Sequence, residues 1–275
     1  MDVGGETIMF QKRIEKIAPI YDLYSSEFYD FHADRHDIDF FLDYAKATTG
    51  KILDVGCGTG RILIPMAKLG KEIIGIDSSE HMLEICENKI QKEINSEKSN
   101  ITLIKADMTN FELNEKFSLI IIPFGPFNYL THTSDQIDCL HCINKHLESN
   151  KLLVFDVWYP DNYELLKSEN GYHVVKNQPY FRMPDGRKVQ WGIKNTSVDY
   201  NKQLIYEDMY YNINYPDGKK EKLIYPAAMR YFHRYEIEHL LSLTGFKINK
   251  LYSDFNKDEF GKKYPSELIV EAIKK

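Results

Sequence analysis

Lys51-Ile52-Leu53-Asp54-Val55-Gly56-Cys57-Gly58-Thr59-Gly60 is an apolar run that ends in an acid and a Gly-x-Gly-x-Gly turn. A second apolar run, Glu72-Ile73-Ile74-Gly75-Ile76, ends in Asp77. Short apolar runs bounded by glycine read as buried parallel strands. The pair predicts a strand, a sharp glycine loop, a helix and a neighbouring strand, with Asp77 at the carboxyl end of the second strand. Open α/β sheets bind their ligands at those ends.

Outward from this unit the alternation continues. Arg61 to Leu69 predicts a helix, with Ile62, Met66 and Leu69 on one face and Gly70 as its stop. Ser78-Ser79-Glu80 predicts a second helix start, small polar residues being good N-caps. A polar connection from Asn95 to Asn100 leads to a third strand ending in Asp107. A fourth, Phe117 to Ile122, runs into Pro123-Phe124-Gly125-Pro126, where the prolines forbid a central strand. A helix over Ser134 to Leu147 and a strand over Leu152 to Val157 complete a βαβ series, which implies a parallel sheet covered on both faces.

After Trp158 the period changes. Aromatic and β-branched segments around Val174 to Met183, Arg187 to Asp199, Gln203 to Tyr215 and Lys220 to Phe232 are separated by Pro184-Asp185-Gly186, Tyr200-Asn201-Lys202 and Pro216-Asp217-Gly218. These are hairpin turns, and the reading is an antiparallel β insertion forming a cap. A helix from Tyr235 to Thr244 and strands over Phe246 to Tyr252 and Glu267 to Ile273 end the chain. The fold class expected is α/β, a doubly wound, mostly parallel seven-stranded sheet. Its expected divisions are an N-terminal helical lid segment (1–47), the core (48–158), the β cap (159–232) and a C-terminal completion of the core (233–275).

The 275 residues carry a net charge of −6, with 28% charged. That balance argues against a broad basic face for nucleic acid or an anionic membrane, and favours a small-molecule or peptide partner. No apolar stretch is long enough to span a bilayer, and Met1 to Phe10 lacks the features of a secretory signal, so a cytoplasmic location is expected. The four cysteines read as reduced. Cys139, His141, Cys142 and His146 lack a second pair at ligand spacing, so no metal is expected.

The glycine spacing decides among nucleotide-like ligands. It is one residue shorter than the dinucleotide pattern, and no Gly-Lys-Ser or Gly-Lys-Thr follows; Arg61 opens an apolar helix instead. Asp54 to Gly60 resembles motif I of the class I S-adenosylmethionine (SAM) methyltransferases. The resemblance implies SAM as cofactor, with Gly56, Cys57, Gly58 and Gly60 approaching its amino-acid end beside Asp54. It further implies Asp77 on the ribose hydroxyls, Asp107 and Met108 on adenine, and Ser78 and Met82 flanking ribose and adenine. Ile122-Pro123-Phe124 matches the fourth motif, which places Pro123 and Phe124 at the cofactor, while Tyr21 and Tyr29 are expected in a lid over it.

The later part of the chain, Met229 to Ile237 and Thr244-Gly245-Phe246 with the β insertion, is similar to a small-molecule subgroup that includes aminosugar N-methyltransferases and glycine-type N-methyltransferases. Where the aminosugar enzymes carry a histidine shortly after the fourth motif, this chain has Tyr129. Methyl transfer to an amine nitrogen of a small-molecule acceptor is the expected reaction, with small-molecule O-methylation or non-catalytic SAM binding as alternatives. Tyr129, Asp156 and His233 are the candidate catalytic residues. Asp156 has two readings, orienting a cationic amine or capping the turn that follows it. The oligomeric expectation is a monomer or homodimer.

Overall fold

β1 (Ile52–Val55) is buried at all four positions, as an apolar strand flanked by neighbours on both edges must be. In the computed structural model, which describes residues 22–31, 36–94, 100–160, 165, 175–262 and 267–275, it is an interior strand of a seven-stranded sheet. β1 pairs in parallel with β2 (Ile73–Asp77) and β4 (Phe117–Ile122). Beyond β2 lies β3 (Ile101–Lys105), and beyond β4 lies β5 (Leu147–Trp158), both parallel. The order β11-β12-β5-β4-β1-β2-β3 is completed by β11 (Phe246–Tyr252) and β12 (Glu267–Lys274), antiparallel to each other, with β12 antiparallel to β5. The chain reverses its direction of travel between β1 and β4. That switch point is where an open α/β sheet forms its crevice, and it lies between the loops that follow β1 and β4.

Helices cover the sheet by burying one face each. α2 (Ile38–Ala47) buries Phe40, Phe41 and Ala45, and α3 (Leu63–Lys68) buries Leu63, Ile64 and Met66. In α4 (Glu80–Glu93) the start is fixed by Ser79, whose hydroxyl accepts from the Met82 N–H. α5 (Thr133–His146) and α6 (Arg234–Leu243) pack their apolar stripes on the same core as Phe155, Phe232 and Phe246.

Three of the differences from the sequence expectation bear on how the elements begin, end or divide. α3 ends at Lys68, because the Leu69 N–H turns back to Met66 O and Gly70 adopts a φ of 77°; Leu69 is left 42% exposed. β5 starts at Leu147, since Leu147 already pairs with Phe117 before the register shifts around Asn150, which has a φ of 61°. The segment expected as one strand around Val174 to Met183 contains two short ones, β6 (Val175–Asn177) and β7 (Phe181–Arg182).

The unit just described comprises Asp34–Pro160 and Tyr231–Lys275, and a second comprises Met1–Ala33 and Asp161–Arg230. In the second, β8 (Lys188–Asp199), β9 (Leu204–Asn214) and β10 (Lys220–Arg230) form an antiparallel meander with β6 and β7 on β8. The expected turns join them, with Gly186 and Gly218 both at a φ of 90°. Helix α1 (22–31) folds on this sheet: Phe28 meets Tyr211 edge-on at 5.1 Å, and Arg187, bonded to Glu27, lies 5.3 Å over the Phe28 ring.

Among the described residues all four cysteines are free and no group of His, Cys, Asp and Glu could hold a metal. His146 has a structural task instead. Its Nε2 accepts from the Leu113 N–H at 2.9 Å, its Nδ1 lies 2.7 Å from Cys142 O, and its ring stacks on Phe111. Among the described residues no helix is long and apolar enough to cross a membrane.

Candidate active site

The glycine loop is held from both sides by backbone. Gly56 N and Cys57 N both donate to Ile76 O, at 2.8 and 3.0 Å, and Gly60 N donates to Cys57 O. Gly56, Gly58 and Gly60 all have positive φ, which glycine alone adopts without steric cost. Asp77 braces the same loop from the next strand: Oδ2 accepts from Gly58 N and Oδ1 from Ser79 N, each at 2.8 Å. One carboxylate therefore joins the loop after β1 to the start of α4.

Side chains from three further segments surround this loop. A Cβ on Gly56 would stand 3.2 Å from Pro126 and 3.9 Å from Met108 Cε, and one on Gly58 would stand 3.9 Å from Met82 Sδ. Met82, Met108 and the turn after β4 are thus brought to the same loop. Cys57 is buried with its sulfur packed towards Gly75 on β2. Burial and the nearby Asp54 and Asp77 push its thiol well up, so it stays neutral. Ser78 is exposed, and Ser79, its neighbour, does the capping. Asp107 is exposed after β3; its Oδ1 accepts from the Thr109 N–H and hydroxyl.

The turn after β4 is built by β5. Phe124 has a φ of 69°, unusual for a residue with a side chain, and its N–H donates to Asp156 Oδ1 at 2.8 Å. Gly125 follows in the left-handed region, leading into a short 3-10 helix, Pro126–Tyr129. Buried Asn128 accepts from Trp158 N at 3.1 Å and so ties this turn to the end of β5. Asp156 thus serves the turn after β4 and not the turn that follows it in sequence. Pro123 is buried, Phe124 is 43% exposed and Tyr129 is 48% exposed. His233 is the N-cap residue of α6 without a side-chain cap bond; its ring meets Tyr159 and Tyr231 edge-on at 5.8 Å each. Tyr29 is half-buried in α1 of the other unit, and Tyr21 lies outside the described residues.

Two residues that the sequence reading did not assign to the site lie at its base. Arg61 makes a bidentate ion pair with Asp37, both buried, and its guanidinium sits 4.7 Å from the centre of the Phe124 ring. Arg61 did carry a signal: a cation in the first residues after Gly60, just ahead of α3, is disfavoured by the helix dipole unless something anionic holds it. Asp54 is fully buried, and neither of its oxygens has a hydrogen-bond partner. Burial pushes its carboxyl up to about 7, opposed by Arg61 and reinforced by Asp77 and Asp37. Asp156 is likewise raised to about 7 by burial, against the hydrogen bonds from Phe124 and Gly125 and the charge of Arg61.

Comparison with known proteins bears on this geometry. A methyltransferase domain profile matches residues 52–150, the segment that contains both loops. Residues 52–150 therefore carry a methyltransferase domain. The chain is 24% identical over 243 residues to YqeM of Bacillus subtilis, a provisionally named methyltransferase, covering 88% of this chain and 90% of that protein. It is 29% identical over 143 residues to the dTDP-3-amino-3,4,6-trideoxy-alpha-D-glucopyranose N,N-dimethyltransferase of Streptomyces venezuelae, covering 52% and 57% of the two chains. Its fold matches SAM-bound CalS10, an amino pentose methyltransferase from Micromonospora echinaspora, with a TM-score of 0.67, 18% identity and coverage of 91% and 96%.

The observed site fits SAM as a methyl donor. Three positive-φ glycines leave a backbone cradle that Cβ atoms would disturb, and Asp54 is a buried carboxylate without a hydrogen-bond donor beside that cradle. An α-ammonium is the group such a carboxylate lacks.

Proposed function

We propose that this methyltransferase transfers a methyl group to an amine nitrogen of a small molecule, with aminosugars as the acceptor class. The observation that carries the reading is an aromatic group at the carboxyl end of β5, next to the turn that bears Tyr129. Trp158 meets Tyr231 edge-on at 6.4 Å, and Tyr231 and Tyr159 both meet His233. Ring faces attract cations, and the ends of β4 and β5 are where an open sheet receives its ligand. The dimethyltransferase relative acts on an aminosugar by its name, which supports the same class.

Within this reading Asp54 holds the α-ammonium of SAM, Asp77 the ribose hydroxyls, and Asp107 with Met108 the adenine, while Met82, Pro123 and Phe124 wall the cofactor. Bound SAM supplies an electrophilic methyl on a sulfonium, whose sulfur leaves neutral. No strong catalytic acid is therefore needed, and the protein's task is to align nitrogen, methyl and sulfur away from water. An ammonium acceptor must first lose a proton. Tyr129, exposed at the end of the 3-10 helix, is the candidate to relay it, its hydroxyl oxygen taking the proton from the nitrogen as its own hydroxyl proton passes to water. Asp156 supports the turn beneath it, and His233 belongs to the aromatic group.

Labelled SAM incubated with a panel of amines, aminosugars and hydroxylated analogues tests the acceptor class. Label is expected on amines; label confined to hydroxyl compounds would overturn the nitrogen assignment. Tyr129→Phe is expected to lower kcat by about 100-fold while leaving the calorimetric affinity for SAM unchanged, the scale of one acid-base group. Undiminished turnover would reduce Tyr129 to a wall residue.

A further inference from the structure

Asp54 and Asp156 stand on different strands, yet both feel the same cation. Arg61 lies between the loops after β1 and β4: it follows Gly60 directly, its guanidinium is clamped on both nitrogens by Asp37 from the start of α2, and its other face lies against Phe124. Buried Arg61 is bonded to buried Asp37, and its charge acts on two further buried carboxyl groups, Asp54 and Asp156. The orphaned oxygens of Asp54 identify where the next cation belongs.

We propose that Arg61 is a positioning residue for the methyl donor, its charge keeping Asp54 ionised to receive the donor's α-ammonium and its contact with Phe124 holding the two cofactor loops together, while Asp37 sets the strength of that charge. This rests on the assignment of SAM to the glycine loop. The charged groups that act on Asp54 are Arg61, Asp77 and Asp37, with Arg61 the largest of the three and the only one favouring ionisation. The sign follows directly. Asp54 must be a carboxylate to hold an ammonium, so SAM affinity falls on the acid side as Asp54 takes up a proton. Removing the Arg61 charge raises the pH at which this begins, and removing the Asp37 charge lowers it.

The test is calorimetric SAM binding between pH 5.5 and 8 for the wild type, Arg61→Gln and Asp37→Asn. The acid limb is expected to move up by about one pH unit in Arg61→Gln, the scale of one nearby opposite charge, and down by a smaller amount in Asp37→Asn. Because removing one partner of a buried pair can unfold a protein, the double variant Asp37→Asn/Arg61→Gln keeps two amides facing each other. Its limb is expected to move up, since the lost cation outweighs the lost anion. A merely structural role for the pair predicts weaker binding in every variant with an unmoved limb, and that result would overturn the proposal. Wild-type protein that binds no SAM at any pH would instead overturn the donor assignment itself.

Discussion

Asp77→Ala is expected to weaken SAM binding by about 100-fold or more, measured by calorimetry at pH 7.5. The reason is that this carboxylate has two tasks. It accepts the N–H groups of Gly58 and Ser79, at 2.8 Å each, and so fixes both the middle of the glycine loop and the first turn of α4. In the proposed complex it also accepts the ribose hydroxyls. Hydrogen bonds to a charged acceptor contribute about 1.5–3 kcal/mol each, so loss of the ribose contacts alone reaches two powers of ten. Loss of the brace adds loop reordering on binding. Asp77→Asn separates the two tasks: its amide keeps one acceptor oxygen and places a donor against one of the N–H groups, so it is expected to bind SAM with intermediate affinity. If Asp77→Ala binds SAM like the wild type, the ribose assignment is wrong, whatever the melting temperature does.

The same residue illustrates what the sequence made legible. Asp77 and the three glycines could be placed because their roles are set by local backbone: an apolar strand ends, a turn needs positive φ, and a neighbouring strand delivers its last residue alongside. Ser79 as a cap was legible for the same reason. The hairpin glycines Gly186 and Gly218 were legible too, since Pro-Asp-Gly encodes its turn within three residues.

The Arg61–Asp37 pair was not legible, being 24 positions apart and formed only when α2 packs beside the glycine loop. Nor was the service Asp156 gives to Phe124 across 32 positions, or Asn128 to Trp158 across 30. Each of these side chains has an ordinary surface reading in sequence, as a cap or a solvated polar group, and tertiary burial alone makes it a partner. The early start of β5 was hidden similarly, because the polar run Glu148-Ser149-Asn150-Lys151 separates the expected helix from the expected strand, while the pairing of Leu147 with Phe117 extends the strand back across it.

Burial also sets a pH dependence of stability. Asp54 and Asp156 are both raised to about 7 in the folded protein, chiefly by desolvation, against about 3.9 for an exposed aspartate. Between these values the folded state binds more protons than the unfolded one, so the ligand-free protein loses stability as pH rises from about 4 through 7. SAM, by bringing a cation to Asp54, is expected to raise the melting temperature more at pH 8 than at pH 6, where part of its binding is opposed by the proton. A SAM-induced shift that is equal at the two pH values would remove Asp54 from the ammonium site.

The largest stability effect is expected at Gly60. A Cβ there would stand 2.6 Å from Cys86 Sγ and 3.0 Å from Ile64 Cδ1, in a backbone of φ 81°. The left-handed conformation costs a side-chain residue about 1–2 kcal/mol, and forcing a carbon into a close-packed core costs about 1–3 more. Gly60→Ala should therefore lose about 2–5 kcal/mol, which for a chain of this size lowers the melting temperature by roughly 5–15 °C. Gly70→Ala is the matched comparison: its φ is 77°, but nothing lies within 4 Å of the added carbon, so only the backbone cost remains. The difference between the two variants isolates the clash. Removing Cys86 Sγ should then restore part of the loss, so that Gly60→Ala/Cys86→Ala melts above Gly60→Ala although it carries a second core truncation. Gly60 N also closes the loop on Cys57 O, and Gly60 O receives the Ile64 N–H. The helix start and the cofactor cradle therefore shift together, and SAM affinity measured well below the melting temperature should fall in Gly60→Ala but not in Gly70→Ala. Equal melting temperatures for the two alanine variants would mean that Cys86 and Ile64 yield without cost, and that the third glycine is required for its backbone conformation alone.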